Sequence, residues 1–131
     1  MEPALTRQLM VVDAANVMGS RPDGWWRDRS AAAVRLVAQI AEAVRGGGLS
    51  GPVAVVLEGA ARGAPIDAAD AGAVRIVEAA GSGDDRILEV AAAEMAGGVP
   101  VVVVTADRGL RLRVESLGAS VLSPRWLLQR L

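Results

Sequence analysis

Short valine-rich runs alternate along this chain with longer alanine-rich stretches whose apolar residues recur every three or four positions, and that alternation limits the possible folds most sharply. Strand followed by helix, repeated, requires crossover connections. Crossovers lay successive strands parallel in one sheet with helices packed on its faces. Strands are expected at residues 8–13, 53–58, 73–78, 101–105 and 119–122, and helices at 29–45, 83–96, 108–117 and 124–131, with a weaker helical turn at 66–71. The first and fourth strands are continuously apolar, as suits central strands buried on both faces. Gly46-Gly47-Gly48 and Gly97-Gly98-Val99-Pro100 read as helix stops leading into the next strand. The expected fold is α/β: one domain over residues 1–131, a Rossmann-like three-layer α/β/α sandwich with a mostly parallel sheet of about five strands.

Composition enters through what is missing. The sequence has no His, Cys, Tyr or Lys, so all fourteen basic residues are Arg. A Ser-His pair, a thiolate nucleophile, a Cys/His zinc site, a Schiff base and a phosphate-loop lysine are thereby excluded. Arg stays protonated and is a poor proton shuttle, so acid-base or metal chemistry must rest on Asp and Glu. A net charge of −1 argues against a broadly basic nucleic-acid binder while leaving room for local Arg clusters. With 52% hydrophobic but only 2% aromatic residues, the core must be built from Ala, Val, Leu, Ile and Met. The longest apolar runs, such as 99–104, fall far short of the ~20 residues of a membrane span. Met1-Glu2-Pro3-Ala4 lacks the basic and apolar segments of a signal peptide, so a cytoplasmic location is expected.

The acids concentrate where such a sheet binds ligands, outside the carboxyl ends of its strands. The first strand ends Val12-Asp13-Ala14-Ala15-Asn16, delivering a carboxylate to that edge with an amide in the loop beyond. The fourth ends Val104-Thr105-Ala106-Asp107-Arg108 and repeats the pattern. Gly81-Ser82-Gly83-Asp84-Asp85-Arg86 opens a helix whose first turn carries two acids, and Glu58 closes the second strand. Each has a plain structural reading. Asp13 can form an Asx turn, Thr105 or Asp107 can cap a helix, Ser82 with Asp85 resembles a capping box, Glu89 can pair with an Arg, and Glu58-Gly59 can be an ordinary strand exit. Gathered at one edge, several like charges are costly unless a cation sits among them, and hard divalent ions prefer oxygen donors. Asp13, Asp84, Asp85 and Asp107 are therefore the candidate ligands, direct or through water, for Mg²⁺ or Mn²⁺ acting on a phosphodiester.

The first loop concentrates Arg21, Trp25, Trp26 and Arg27, a combination suited to forking onto phosphates and stacking bases. The alternative is that Trp25 or Trp26 staples the following helix to the body while Arg27 pairs with Asp28. Arg86 and Arg108, beside the acids, are further candidates for phosphate contact. Arg111 and Arg113 read as solvated helix residues.

Taken in order, Asp13-Ala14-Ala15-Asn16, Ser82-Gly83-Asp84-Asp85-Arg86-Ile87 and Thr105-Ala106-Asp107-Arg108-Gly109-Leu110 resemble the PIN-like nucleases, over nearly the whole chain. The likeness is closest to their NYN branch, including bacterial proteins related to a predicted ribosome-associated or RNA-processing endoribonuclease. The resemblance implies a Rossmann-like sheet and a metal-dependent RNA phosphodiesterase, with Asp13, Asp84 and Asp107 as core acids and Asp85 supplementing them. It implies that Asn16 orders the Asp13 loop, and that Glu58, with Thr105, supports the site where the family usually has an Asp on the second strand. RNA, single-stranded or structured, is the expected partner, with products ending in 5′-phosphate and 3′-hydroxyl. A homodimer, a protein inhibitor as in a toxin-antitoxin pair, and a non-catalytic RNA- or protein-binding module remain open. Other α/β families fit worse. A receiver domain needs a Lys, a haloacid-dehalogenase-type phosphatase wants an Asp where Ala15 stands, and Gly81-Ser82-Gly83 is too short for a dinucleotide loop.

Overall fold

The computed structural model describes residues 8–131, and the leader-free reading of residues 1–4 lies outside them. Five strands, β1 (Leu9–Asp13), β2 (Val53–Leu57), β3 (Arg75–Glu78), β4 (Val101–Val104) and β5 (Ser120–Leu122), form one sheet in the order β3-β2-β1-β4-β5. Every neighbouring pair is parallel, with Val12 opposite Val55 on one side and Val104 on the other. The chain thus winds outward from β1 in both directions, and the order reverses between β1 and β4. β1, β2 and β4 are buried along their whole length, as continuous apolar strands require when both faces are covered.

Strand alternation sorts the core into two layers. Met10, Val12, Val53, Val55, Leu57, Val102 and Val104 face Leu36, Val37, Ile40 and Leu127, which come from α2 (Arg29–Arg45) and α6 (Pro124–Leu128). Leu9, Val11, Ala54, Val56, Val101 and Val103 face Ile87, Val90, Leu110 and Val114, which come from α4 (Gly83–Ala96) and α5 (Arg108–Leu117). Two short helices, α1 (Ala14–Gly19) and α3 (Ala68–Ala71), lie on the α2 side. Among the described residues no helix is long and apolar enough to cross a membrane.

Helices α2, α4 and α5 have the expected bounds, and the other elements are trimmed or added. Helix α1 begins directly after Asp13, so Asn16 stands on a helical turn and not in a loop. Strand β3 starts at Arg75 because Val74 N–H turns back to Ala71 C=O at 2.9 Å. Strand β5 starts after Ala119, whose N–H closes α5 on Val114 C=O at 3.1 Å past left-handed Gly118, φ +100°. The last helix ends at Leu128, and the turn near residue 66 narrows to α3, capped by Asp67. Gln8, Glu58 and Thr105 lie just outside the ladders; Thr105 still donates its N–H to Leu122 C=O at 3.1 Å.

Candidate functional site

Asp13 is the last residue of the central strand and the N-cap of α1, accepting the Asn16 N–H on Oδ1 at 3.3 Å. Its other oxygen, Oδ2, accepts the Thr105 hydroxyl at 2.9 Å, a bond between residues 92 positions apart. Thr105 Oγ1 accepts in turn from the Asp107 N–H at 3.1 Å, and Asn16 Oδ1 accepts from the Ala106 N–H at 2.8 Å. Two side chains from the β1 exit are therefore tied to the β4 exit, at the point where strand order reverses. In open parallel sheets that crevice is where ligands bind. The capping reading of Asp13 is realised without removing it from the edge, and of Thr105 and Asp107 it is Asp107 that caps the next helix.

Asp107 caps α5, accepting the Leu110 N–H on Oδ1 at 2.8 Å, and remains exposed. Ser82 caps α4 through the Asp85 N–H at 3.1 Å. Among the described residues no Asp85 bond returns to Ser82; the Asp85 carboxylate instead meets Arg113 of α5 at 3.2 Å, so the capping box is one-sided. Arg113, expected as a solvated helix residue, is thus a cross-helix partner of the acid cluster. Glu58 Oε2 accepts the Gly83 N–H, joining the exit of β2 to the first residue of α4. A Cβ at position 83 would overlap the end of that carboxylate, which would have to shift to make room.

These acids feel one another. Asp13 is 7% exposed, and its carboxyl is pushed up to about 6, first by burial; the Thr105 and Asn16 hydrogen bonds oppose this, and Asp84 and Glu58 add to it. The Asp84 carboxyl is also raised, by partial burial, then Asp107 and Glu58, with Arg113 opposing and Asp85 adding. Asp13, Glu58, Asp84 and Asp107 thus form one electrostatic group carried by four chain segments. Their donor chemistry, all carboxylate oxygen, fits a hard divalent cation and not a soft one. Among the described residues, however, no three acids are drawn together tightly enough to form a finished metal cage.

The aromatic loop lies on the α1 side of this edge. Trp25 and Trp26 occupy a short 3₁₀ turn (Trp25–Arg27), their rings edge to face with centroids 6.2 Å apart. Trp25 packs partly on the core and carries Arg29 over its ring at 5.4 Å; Trp26 is 56% exposed, with Arg27 over its ring at 5.7 Å. The staple reading holds in part for Trp25, while Arg27 stacks and Asp28 caps α2 on the Ala31 N–H at 2.9 Å. Ala15, Met18, Trp25, Arg29, Glu58, Gly59, Gly81 and Ser82 line a cleft of about 470 Å³. Arg86 pairs with Glu89 at 3.3 Å, while Arg108 is exposed beside Asp107 and Arg21 is partly buried. Sequence reasoning missed Arg29, Gly83 and Arg113. Only Gly83 had a local signal, the Gly-Ser-Gly before the acids.

No protein-family model and no curated protein matches the sequence. Among the solved structures that match the fold are two of one protein. One is Rae1 (YacP) from Bacillus subtilis, with a TM-score of 0.72, 22% identity and coverage of 94% of this chain and 72% of that one. The other is a point variant of the same protein, with a TM-score of 0.70, 24% identity and coverage of 94% and 74%. Likeness at that identity establishes the three-layer α/β architecture expected from the sequence.

Proposed function

We propose that the chain is a metal-dependent ribonuclease that hydrolyses RNA phosphodiester bonds at the carboxyl edge of β1 and β4. Asp13, Asp84 and Asp107 hold Mg²⁺ or Mn²⁺ directly or through water, with Asp85 at the periphery. The observation that carries this reading is that Asp13 and Asp84, at the strand-order reversal, both have raised carboxyls, first through burial and then through neighbouring acids that include Glu58. Acids that raise one another's proton affinity are held together at a cost, and a bound cation relieves it. The likeness in fold to Rae1 (YacP) agrees with a nuclease of PIN-like architecture.

The protein's part is positioning. Thr105 and the Asn16 N–H fix both Asp13 oxygens, and the α5 cap fixes Asp107. Glu58, anchored on Gly83, supports the start of the helix that carries Asp84. A bound divalent ion would polarise a phosphoryl oxygen and make its water more acidic. Water adds to phosphorus, the P–O3′ bond breaks and the leaving 3′ oxygen takes a proton, which leaves 5′-phosphate and 3′-hydroxyl ends. Arg108 is the nearest exposed cation along the chain to Asp107 and suits a phosphate oxygen.

The test is cleavage of labelled single-stranded and structured RNA with Mn²⁺, Mg²⁺ or EDTA, beside Asp13→Asn and Asp107→Asn. Cutting that needs metal and falls at least about 100-fold in both variants is the expected result. Wild-type cutting no greater than that of the variants, across substrates and both metals, would leave a non-catalytic RNA- or protein-binding module as the better reading.

A further inference from the structure

We infer that the cleft between Trp25 and Glu58 is a subsite for one unpaired nucleobase of the RNA strand, next to the position where the strand is cut. The inference rests on the ribonuclease reading and deepens it. Three features of the cleft select its occupant. Its volume, about 470 Å³, falls within the range of small-molecule sites, and its wall combines apolar Ala15 and Met18 with the Trp25 indole. Glu58 and Arg29 line the same cleft with opposite charges that offset one another, so a neutral, flat, amphipathic base suits it better than a lone phosphate. Glu58 and Ser82 also tie the cleft to the acids: Glu58 raises the proton affinity of Asp13 and Asp84, and Ser82 caps the helix on which Asp84 stands. A base held there places its own phosphate at the acid cluster.

The three stacked Arg-Trp pairs among the described residues differ in closeness. Arg130 lies against Trp126 at 3.8 Å and donates to the Trp126 carbonyl at 2.7 Å, a closed stack, whereas Arg29 stands off Trp25 at 5.4 Å and Arg27 off Trp26 at 5.7 Å. Arg29 is free to swing out and meet a phosphate while a base takes its place on the ring. Trp26, more exposed and turned edge-on to Trp25, lies outside the cleft lining.

The experiment uses a fluorescein-labelled mixed-sequence hexaribonucleotide and the corresponding blunt duplex, followed by anisotropy in EDTA. Wild type is expected to prefer the single strand. Trp25→Leu should weaken single-strand binding about tenfold, while Trp25→Phe keeps most of it and Trp26→Leu changes it less. Ala15→Leu, which narrows the cleft and keeps the indole, should weaken binding similarly and guards against a misfolded Trp25 variant. Cleavage with Mn²⁺ should show Trp25→Leu raising KM more than it lowers kcat. Single-strand binding unaffected by both Trp25→Leu and Ala15→Leu, or no preference for single strand, overturns the subsite. RNA that binds through Trp25 but is never cut sinks the nuclease reading and leaves the subsite standing; cutting with KM unchanged in Trp25→Leu does the reverse.

Discussion

Asp13 bears two roles that pull in opposite directions. As the cap of α1 and the acceptor of the Thr105 hydroxyl it holds β1 to the β4 exit, and as a buried carboxylate it opposes folding once ionised. Its carboxyl titrates at about 6 in the folded chain against an ordinary value of 3.8. Below 3.8 both folded and unfolded forms hold the proton, and nothing is lost. Between 3.8 and about 6 only the folded form holds it, so stability falls as pH rises, and above 6 the penalty is complete at about 3 kcal/mol. Asp84, also raised, acts with the same sign. In EDTA, Asp13→Asn should therefore melt above wild type at pH 7.5, with the two curves converging below pH 4. Parallel melting curves across that range would mean that Asp13 carries no such burden. Much at this scale was legible in advance: a carboxylate ending a valine strand, twice, is a pattern that repays attention. Gly83 shows what was not, because the crowding at its Cβ position arises from Glu58, brought up from a distant strand.

Elements make the site by starting and stopping in the right places. Asp13, Ser82 and Asp107 each cap a helix, so the acid edge is a row of helix beginnings, where backbone N–H groups favour negative charge. Helix α1 escaped sequence reading because six residues give too little periodicity, and its cap doubles as the last strand residue. The long helices were legible because each presents a repeating apolar stripe between a capping residue and glycine. The join between β2 and α4 is testable through Gly83→Ala. A methyl group there expels the Glu58 carboxylate, while alanine gains helix propensity of about 0.5–1 kcal/mol over glycine. Melting should therefore shift by no more than about 1 kcal/mol, in either direction, while RNA cleavage drops severalfold. A strongly destabilised variant, or one that cuts as well as wild type, would show that the Glu58 anchor has another purpose.

At the scale of the whole molecule, one sheet with two apolar layers is expected to unfold as a unit. Trp25 and Trp126 both pack on the layer that includes α2, whereas far-UV circular dichroism reports all the helices. Urea unfolding followed by tryptophan fluorescence and by circular dichroism should give coincident transitions. Separated midpoints would divide the chain into independently stable parts. The parallel architecture was readable from alternation alone. The pairing of Asp85 with Arg113 was not, since it depends on how α4 and α5 lie side by side.

The hydrogen bonds from Asp13 to Thr105 and from Asn16 to Ala106 bridge about ninety residues of chain. A growing polypeptide that has made β1, β2 and β3 still lacks the partner that holds Asp13 in place and the two acids that join it, Asp84 and Asp107. The proposed cutting centre comes into being only when residue 107 has been made and β4 has slipped in against β1. On the ribonuclease reading, a partly made chain has no cutting centre to turn on RNA until that pairing is complete.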